Sequence, residues 1–152
     1  MRHIVLLCVF LVASCNQPAD FYDTNGKGYA YSEFAGKWQV INYWATWCAP
    51  CIKEIPELIA LDNRHEDIVV FGVNFDQPDA NDMVEQIKRM KITFPVYRDD
   101  PYRHFAIEAP QVLPTTVLID PNGQVADVLV GPQTEASLLA AMGKLKNPGT
   151  SD

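Results

Sequence analysis

The chain reads as one α/β domain built on a central mixed sheet flanked by helices. Three observations predict it. The 152 residues are 48% apolar and 20% charged, enough for one buried core and too apolar for disorder. Short apolar runs of strand length alternate with longer segments of helical periodicity. The last two strand-like runs are separated by turn residues alone, and the resulting order β-α-β-α-β-β-α describes helices packed on a mixed sheet.

Each element has its own signal. Phe21 to Tyr31 predicts an N-terminal hairpin, because Asn25-Gly26 is a turn signal between aromatic-rich arms. Tyr29 and Tyr31 alternate as in a half-buried strand. Trp38 to Tyr43 is a short apolar strand. Cys48 to about Asn63 has helical periodicity, with Ile52, Ile55, Leu58, Ile59 and Leu61 on the apolar face and Pro56 as a kink. Ile68 to Asn74 is a buried strand. Asp79 caps a helix to about Lys91, with Met83, Val84, Ile87 and Met90 on one face. Phe94 to Tyr97 is a short strand. Thr115 to Ile119 and Gln124 to Val130 pair across the turn Asp120-Pro121-Asn122-Gly123. Thr134 to about Leu145 is a final amphipathic helix.

The first residues belong outside the domain. Arg2 and His3 precede an unbroken apolar run, Ile4 to Ala13. Its length suits a signal-peptide core and falls short of the roughly 20 residues of a membrane-crossing helix. Leu11-Val12-Ala13-Ser14-Cys15 resembles the bacterial lipobox, which implies lipid on Cys15; an ordinary signal peptide that contains a cysteine is the alternative. On the lipobox reading, residues 1–14 are a signal peptide, 15–20 a tether and 21–148 the folded domain. The domain is then lipid-anchored on the periplasmic side of a bacterial membrane. The formal charge of −7 argues against a nucleic-acid partner, which requires a basic face. A monomer is the default state.

Of the four cysteines, Cys8 leaves with the signal and Cys15 is capped by lipid, so the mature chain keeps Cys48 and Cys51. A bridge between them closes so short a loop that its entropic contribution is small, and chemistry explains the pair better than stability does. They lie in Trp44-Ala45-Thr46-Trp47-Cys48-Ala49-Pro50-Cys51, after a strand and opening a helix. In the first helical turn, free N–H groups and the helix dipole favour a thiolate at Cys48. Cys51, one turn further in, is placed to resolve a mixed disulfide. Pro50 fits early in a helix. Half a zinc site is the alternative, but His65 and His104 are the remaining ligands and their spacing is not paired. Both histidines read as surface residues without a role. Asp76, Asp99 and Asp100 form no calcium loop.

Taken together, these pieces resemble the TlpA/ResA/DsbE group of extracytoplasmic, thioredoxin-fold thiol:disulfide oxidoreductases. The resemblance rests on residues 42–51, Glu54-Ile55-Pro56-Glu57-Leu58, Leu113-Pro114-Thr115-Thr116, Leu118-Ile119-Asp120 and Gly123. It covers about residues 21–145. It implies a thioredoxin-like fold with an N-terminal hairpin and a central α/β insertion between Asn74 and Pro114. It implies a cis-proline at Pro114 facing the redox pair and a Leu113 backbone held open for an extended substrate. Val112 departs from the glycine often found there. Trp47, Ala49 and Pro50 complete the substrate-binding wall, and Trp44 lies beneath the cysteines. Asn42 stands where cytoplasmic thioredoxins carry a buried Asp, and the proton role passes to Glu54. No cofactor beyond the Cys48–Cys51 disulfide is implied.

Ala49-Pro50 supplies no cation to stabilise a thiolate. It is closer to thioredoxin, at about −270 mV, than to the oxidant DsbA, at about −120 mV. The expected activity is reduction of a protein disulfide, such as that of apocytochrome c, with electrons from a membrane donor of the DsbD or CcdA type. A disulfide oxidase or isomerase, and a non-enzymatic binding module on the same fold, are the alternatives.

Overall fold

The computed structural model describes residues 18–146. The expected signal peptide, Cys15 and the start of the expected tether lie outside the described residues.

The sheet has four strands in the order β4-β3-β5-β6. β3 (Trp38–Trp44) pairs parallel with β4 (Ile68–Asn74) and antiparallel with β5 (Thr115–Ile119), which pairs antiparallel with the edge strand β6 (Val125–Val130). All seven residues of β3 are buried, as expected of a central strand covered on both faces. On one face, Val40, Val70 and Leu118 pack with Ile55, Leu58 and Leu61 of α1 (Ala49–Arg64), Met83 and Met90 of α2 (Ala80–Met90), and Leu138 and Met142 of α3 (Glu135–Lys146). On the other, Ile41, Tyr43, Phe71, Val117 and Ile119 pack with Tyr29, Phe34 and Tyr97.

The elements follow the expected order, and their boundaries agree closely. β4 and β5 match residue for residue, and Asp79 caps α2 through the N–H groups of Asn81 and Asp82, both at 3.0 Å. The hairpin is present with arms of two residues each, β1 (Phe21–Tyr22) and β2 (Gly28–Tyr29). Its turn is held by the Asp23 carboxylate, which accepts N–H bonds from Asn25 at 2.8 Å and Lys27 at 2.9 Å.

Four expectations need correction. Tyr31 is not in a strand; it opens a 3-10 turn, because the Glu33 carboxylate folds back to accept the Ala30 N–H at 2.8 Å. Phe94 to Tyr97 forms no strand. Pro95 has no N–H to offer a ladder, and pairing reduces to single bridges of Val96 with Gly72 and Tyr97 with Asp23. Ile52 is not on the apolar face: the buried stripe of α1 runs Cys51, Glu54, Ile55, Leu58, Leu61, which leaves Ile52 48% exposed. Val84 likewise points outward from α2. α1 continues through Pro56. Gly72 is where a side chain cannot fit: a Cβ there would meet Trp44 Nε1 at 2.9 Å and Phe94 at 3.1 Å.

Candidate active site

The site forms where β3 ends and α1 begins. Cys48 is the N-cap residue of α1, not a member of its first turn, because its backbone is still extended (φ −86°, ψ 97°). The Cys51 N–H donates to Cys48 Sγ at 3.2 Å, and the Ile52 N–H donates to the Cys48 carbonyl at 3.2 Å. The sulfur thus receives one of the free donors at the helix start, where the dipole also favours negative charge. The first turn carries no acidic residue to oppose it. Cys48 and Cys51 form a disulfide with Cα atoms 5.3 Å apart. Cys48 keeps 4% exposure and Cys51 none, so an incoming thiol or disulfide meets Cys48.

Glu54 is a buried side chain, 2% exposed, one turn beyond Cys51. Its Oε1 accepts from Asn42 Nδ2 at 2.8 Å and its Oε2 from the Gln133 backbone N–H at 2.9 Å. Asn42, fully buried on β3, also donates to Thr116 Oγ1 at 3.1 Å, while its own Oδ1 has no donor. Burial pushes the Glu54 carboxyl above its ordinary value, and the Gln133 and Asn42 bonds pull partly back. A carboxyl held this way exchanges a proton at a higher pH than a solvated one.

The Leu113–Pro114 bond is cis. Register sets Thr115 opposite Tyr43 and Thr116 opposite Asn42, so Pro114 follows on beside the Trp44–Cys48 segment. Leu113 packs against the apolar clusters on both faces of the sheet. The Pro114 carbonyl accepts the Gly131 N–H at 2.9 Å. Trp44 is buried in the cluster that holds both cysteines, whereas Trp47 is 63% exposed on the rim. Ala49 and Pro50 are exposed at the helix start.

The structure therefore brings Cys48, Cys51, Trp47, Ala49 and Pro50 together at the start of α1. It sets Glu54 one turn below them, and the register carries Pro114 to the Trp44 end of β3, from which the cysteine segment continues. Three contributors escaped the sequence reading. Gln133 acts through its backbone N–H and has no side-chain signature. Thr116 was visible in the Leu113–Thr116 motif and its strand, without its bond to Asn42. Asp76 accepts the Trp47 indole N–H, at 3.0 and 3.2 Å to its two oxygens, next to a Trp47–Phe75 edge contact. Of the two histidines, His104 is exposed and stacks on Tyr31 with ring centroids 3.6 Å apart, and His65 is half-buried and bonds Glu135 at 3.0 Å. Asp100 accepts from the Tyr43 hydroxyl at 2.8 Å. Among the described residues no cluster of three His, Cys, Asp or Glu side chains stands ready for a metal ion, and no helix is long and apolar enough to cross a membrane.

With two cysteines poised between thiol and disulfide at a strand-to-helix junction, the protein falls in the class of thioredoxin-fold thiol:disulfide oxidoreductases. Known proteins place it more narrowly. The chain belongs to the AhpC/TSA family, whose family model matches residues 13–128. It is 33% identical over 132 residues to the thiol-disulfide oxidoreductase ResA of Bacillus subtilis (strain 168), covering 85% of this chain and 73% of that protein. The ResA of Geobacillus kaustophilus (strain HTA426) is 32% identical over 132 residues, 84% of this chain and 75% of that one. Among solved structures, a thiol:disulfide interchange protein of the thioredoxin family from Chlorobium tepidum TLS matches at a TM-score of 0.64 and 27% identity, over 82% of this chain and 90% of the other.

Proposed function

We propose that the protein is a membrane-tethered reductant of protein disulfides. Cys48 is the attacking residue, Cys51 the resolving one and Glu54 the proton acceptor. The observation that carries this reading is the buried Glu54 carboxyl one turn beyond the buried Cys51.

In the reduced protein the Cys48 thiolate attacks one sulfur of a substrate disulfide and expels the other as a thiolate, leaving a mixed disulfide. Cys51 then loses its proton to Glu54 and attacks Cys48 Sγ. The Cys48–Cys51 disulfide forms, and the second substrate sulfur is expelled as a thiolate that takes its proton from water. Two electrons have passed from the cysteine pair to the substrate. A membrane donor of the DsbD or CcdA type returns them, and the disulfide is the only redox group required. Leu113 supplies the backbone along which an extended substrate pairs beside Cys48, next to Pro114, and Trp47, Ala49 and Pro50 form the opposite wall. Apocytochrome c before haem attachment fits this substrate class. The signal peptide of residues 1–14 and the lipid on Cys15 set the protein on the periplasmic side of the membrane, as a monomer.

The direction is tested by equilibrating the Cys48–Cys51 pair in glutathione buffers and following intrinsic tryptophan fluorescence. A potential at or below about −230 mV is expected of a reductant. A value near −120 mV overturns the reading in favour of a disulfide oxidase.

A further inference from the structure

The sheet face turned away from α1 is covered unevenly. The N-terminal hairpin and its aromatic neighbours bury Val117 and Ile119 of β5, but Val128 and Val130 on the edge strand stay 46% and 62% exposed. Here a cavity of about 380 Å³ opens between the strands and the loop that leads into Pro114. Its walls include Ile107 and Val112 from the loop and Thr115, Val117, Val128 and Val130 from the sheet. Val112 is itself 56% exposed.

Two polar side chains of these walls are already engaged. Thr115 Oγ1 donates to the Val112 carbonyl at 2.7 Å, and Gln111 Nε2 donates to the Ala109 carbonyl at 3.0 Å. The lining is mostly apolar, with Glu108 as its one charged residue. Such a site selects by shape and apolar area, and suits an aliphatic or aromatic group better than a ligand that needs directed hydrogen bonds.

The cavity wall runs on into the backbone of Leu113–Pro114. Val112 and Thr115 bracket Leu113–Pro114, and their hydrogen bond ties the cavity wall to that backbone. Val130 precedes Gly131, whose N–H is bonded to the Pro114 carbonyl. We propose that this cavity is a side-chain subsite for the protein substrate: an extended polypeptide running along Leu113 seats one bulky apolar residue in it, a few positions from the cysteine that meets Cys48. The proposal rests on the reading of Leu113 as the substrate-pairing backbone. Glu108 adds a sign to the preference, disfavouring acidic residues beside the anchor, as does the chain's charge of −7.

The test uses the reduced protein and short peptides. Each peptide carries one cysteine as a mixed disulfide with a chromogenic thiol. The Cys48 thiolate attacks the peptide sulfur and expels the chromogenic thiolate, which is counted by absorbance. Phe, Leu, Ser or Asp is placed in turn at each of about four positions on either side of the cysteine. At one position Phe or Leu should react about tenfold faster than Ser, the effect of burying such a side chain, and Asp slower still. Each rate is divided by the same protein's rate on oxidised glutathione, which is too small to reach the cavity. In the Val128→Ser/Val130→Ser double variant, both sites being exposed, the preference should shrink to about twofold or less. A wild type without preference, or a double variant that keeps it, overturns the subsite. So does a wild-type dimer that dissociates in the double variant, since the cavity would then be covered by a second copy. Reaction with oxidised glutathione but with no peptide would sink the protein-substrate reading as well, a result distinct from a flat preference among reactive peptides.

Discussion

The Glu54→Gln substitution separates the two influences on the buried carboxyl. Burial favours its neutral form; the N–H bonds from Asn42 and Gln133 favour the carboxylate. The net direction is upward from 4.5. Above that pH the unfolded chain has lost the proton while the folded chain still holds it. The unfolded state then binds fewer protons, so folding stability falls as pH rises, by up to about 1.4 kcal/mol per pH unit for one group. The fall begins near 4.5 and ends once the pH passes the folded-state value. Gln removes the titration but does not copy the acid fully: its amide nitrogen cannot accept, so one of the two N–H groups loses its partner. At low pH the variant should therefore be less stable by about 1–3 kcal/mol. As pH rises the wild type loses stability and the variant does not, so this deficit should shrink and then level off. Other titrations are common to both proteins and cancel in the difference. Urea denaturation of the two oxidised proteins between pH 4 and 8 measures the gap directly. Parallel curves, or a wild type that gains on the variant with rising pH, would refute the argument, because the two hydrogen bonds would then outweigh burial.

Two further outcomes follow from the same geometry. Cys51→Ser, incubated reduced with a disulfide substrate, should accumulate a mixed disulfide on Cys48 that mass spectrometry of tryptic peptides locates; release at the wild-type rate would remove Cys51 from the resolving role. Leu118→Ala, at a fully buried site on β5, should lower stability by about 2–5 kcal/mol in urea without changing which peptide sulfur is attacked.

Much of this architecture was legible because the signals were local and physical. An unbroken apolar run such as Ile68 to Asn74 has few alternatives to a buried strand, and Asp79 before a periodic segment is a helix cap that the structure reproduces. The cysteine pair was legible because its spacing, its position after a strand and the ligand shortage around it left little else for it to do. What escaped was either a local signal that competed with the strand pattern or a partner distant in sequence. Tyr31 left the strand because Glu33 turned the chain. Phe94 to Tyr97 lost its ladder at Pro95. Within the site, the position of Glu54 on α1 was readable, but its burial depends on Asn42, Thr116 and Gln133, which lie on three other segments. A bond made by a backbone N–H, as at Gln133, leaves no trace in residue identity.

The docking of α3 has a consequence for the order in which the protein becomes competent. Glu54 Oε2 holds the Gln133 N–H and Glu57 Oε2 holds the Glu135 N–H at 3.1 Å, so the segment that seals the buried carboxyl comes from near the C-terminus. Ribosomes deliver Cys48 and Cys51 about eighty residues before Gln133. Until that last stretch arrives, Glu54 is an ordinary solvated acid beside two reactive sulfurs. The nascent chain thus carries its redox pair before the segment that buries Glu54, and the buried carboxyl is set only once Gln133 has emerged and docked.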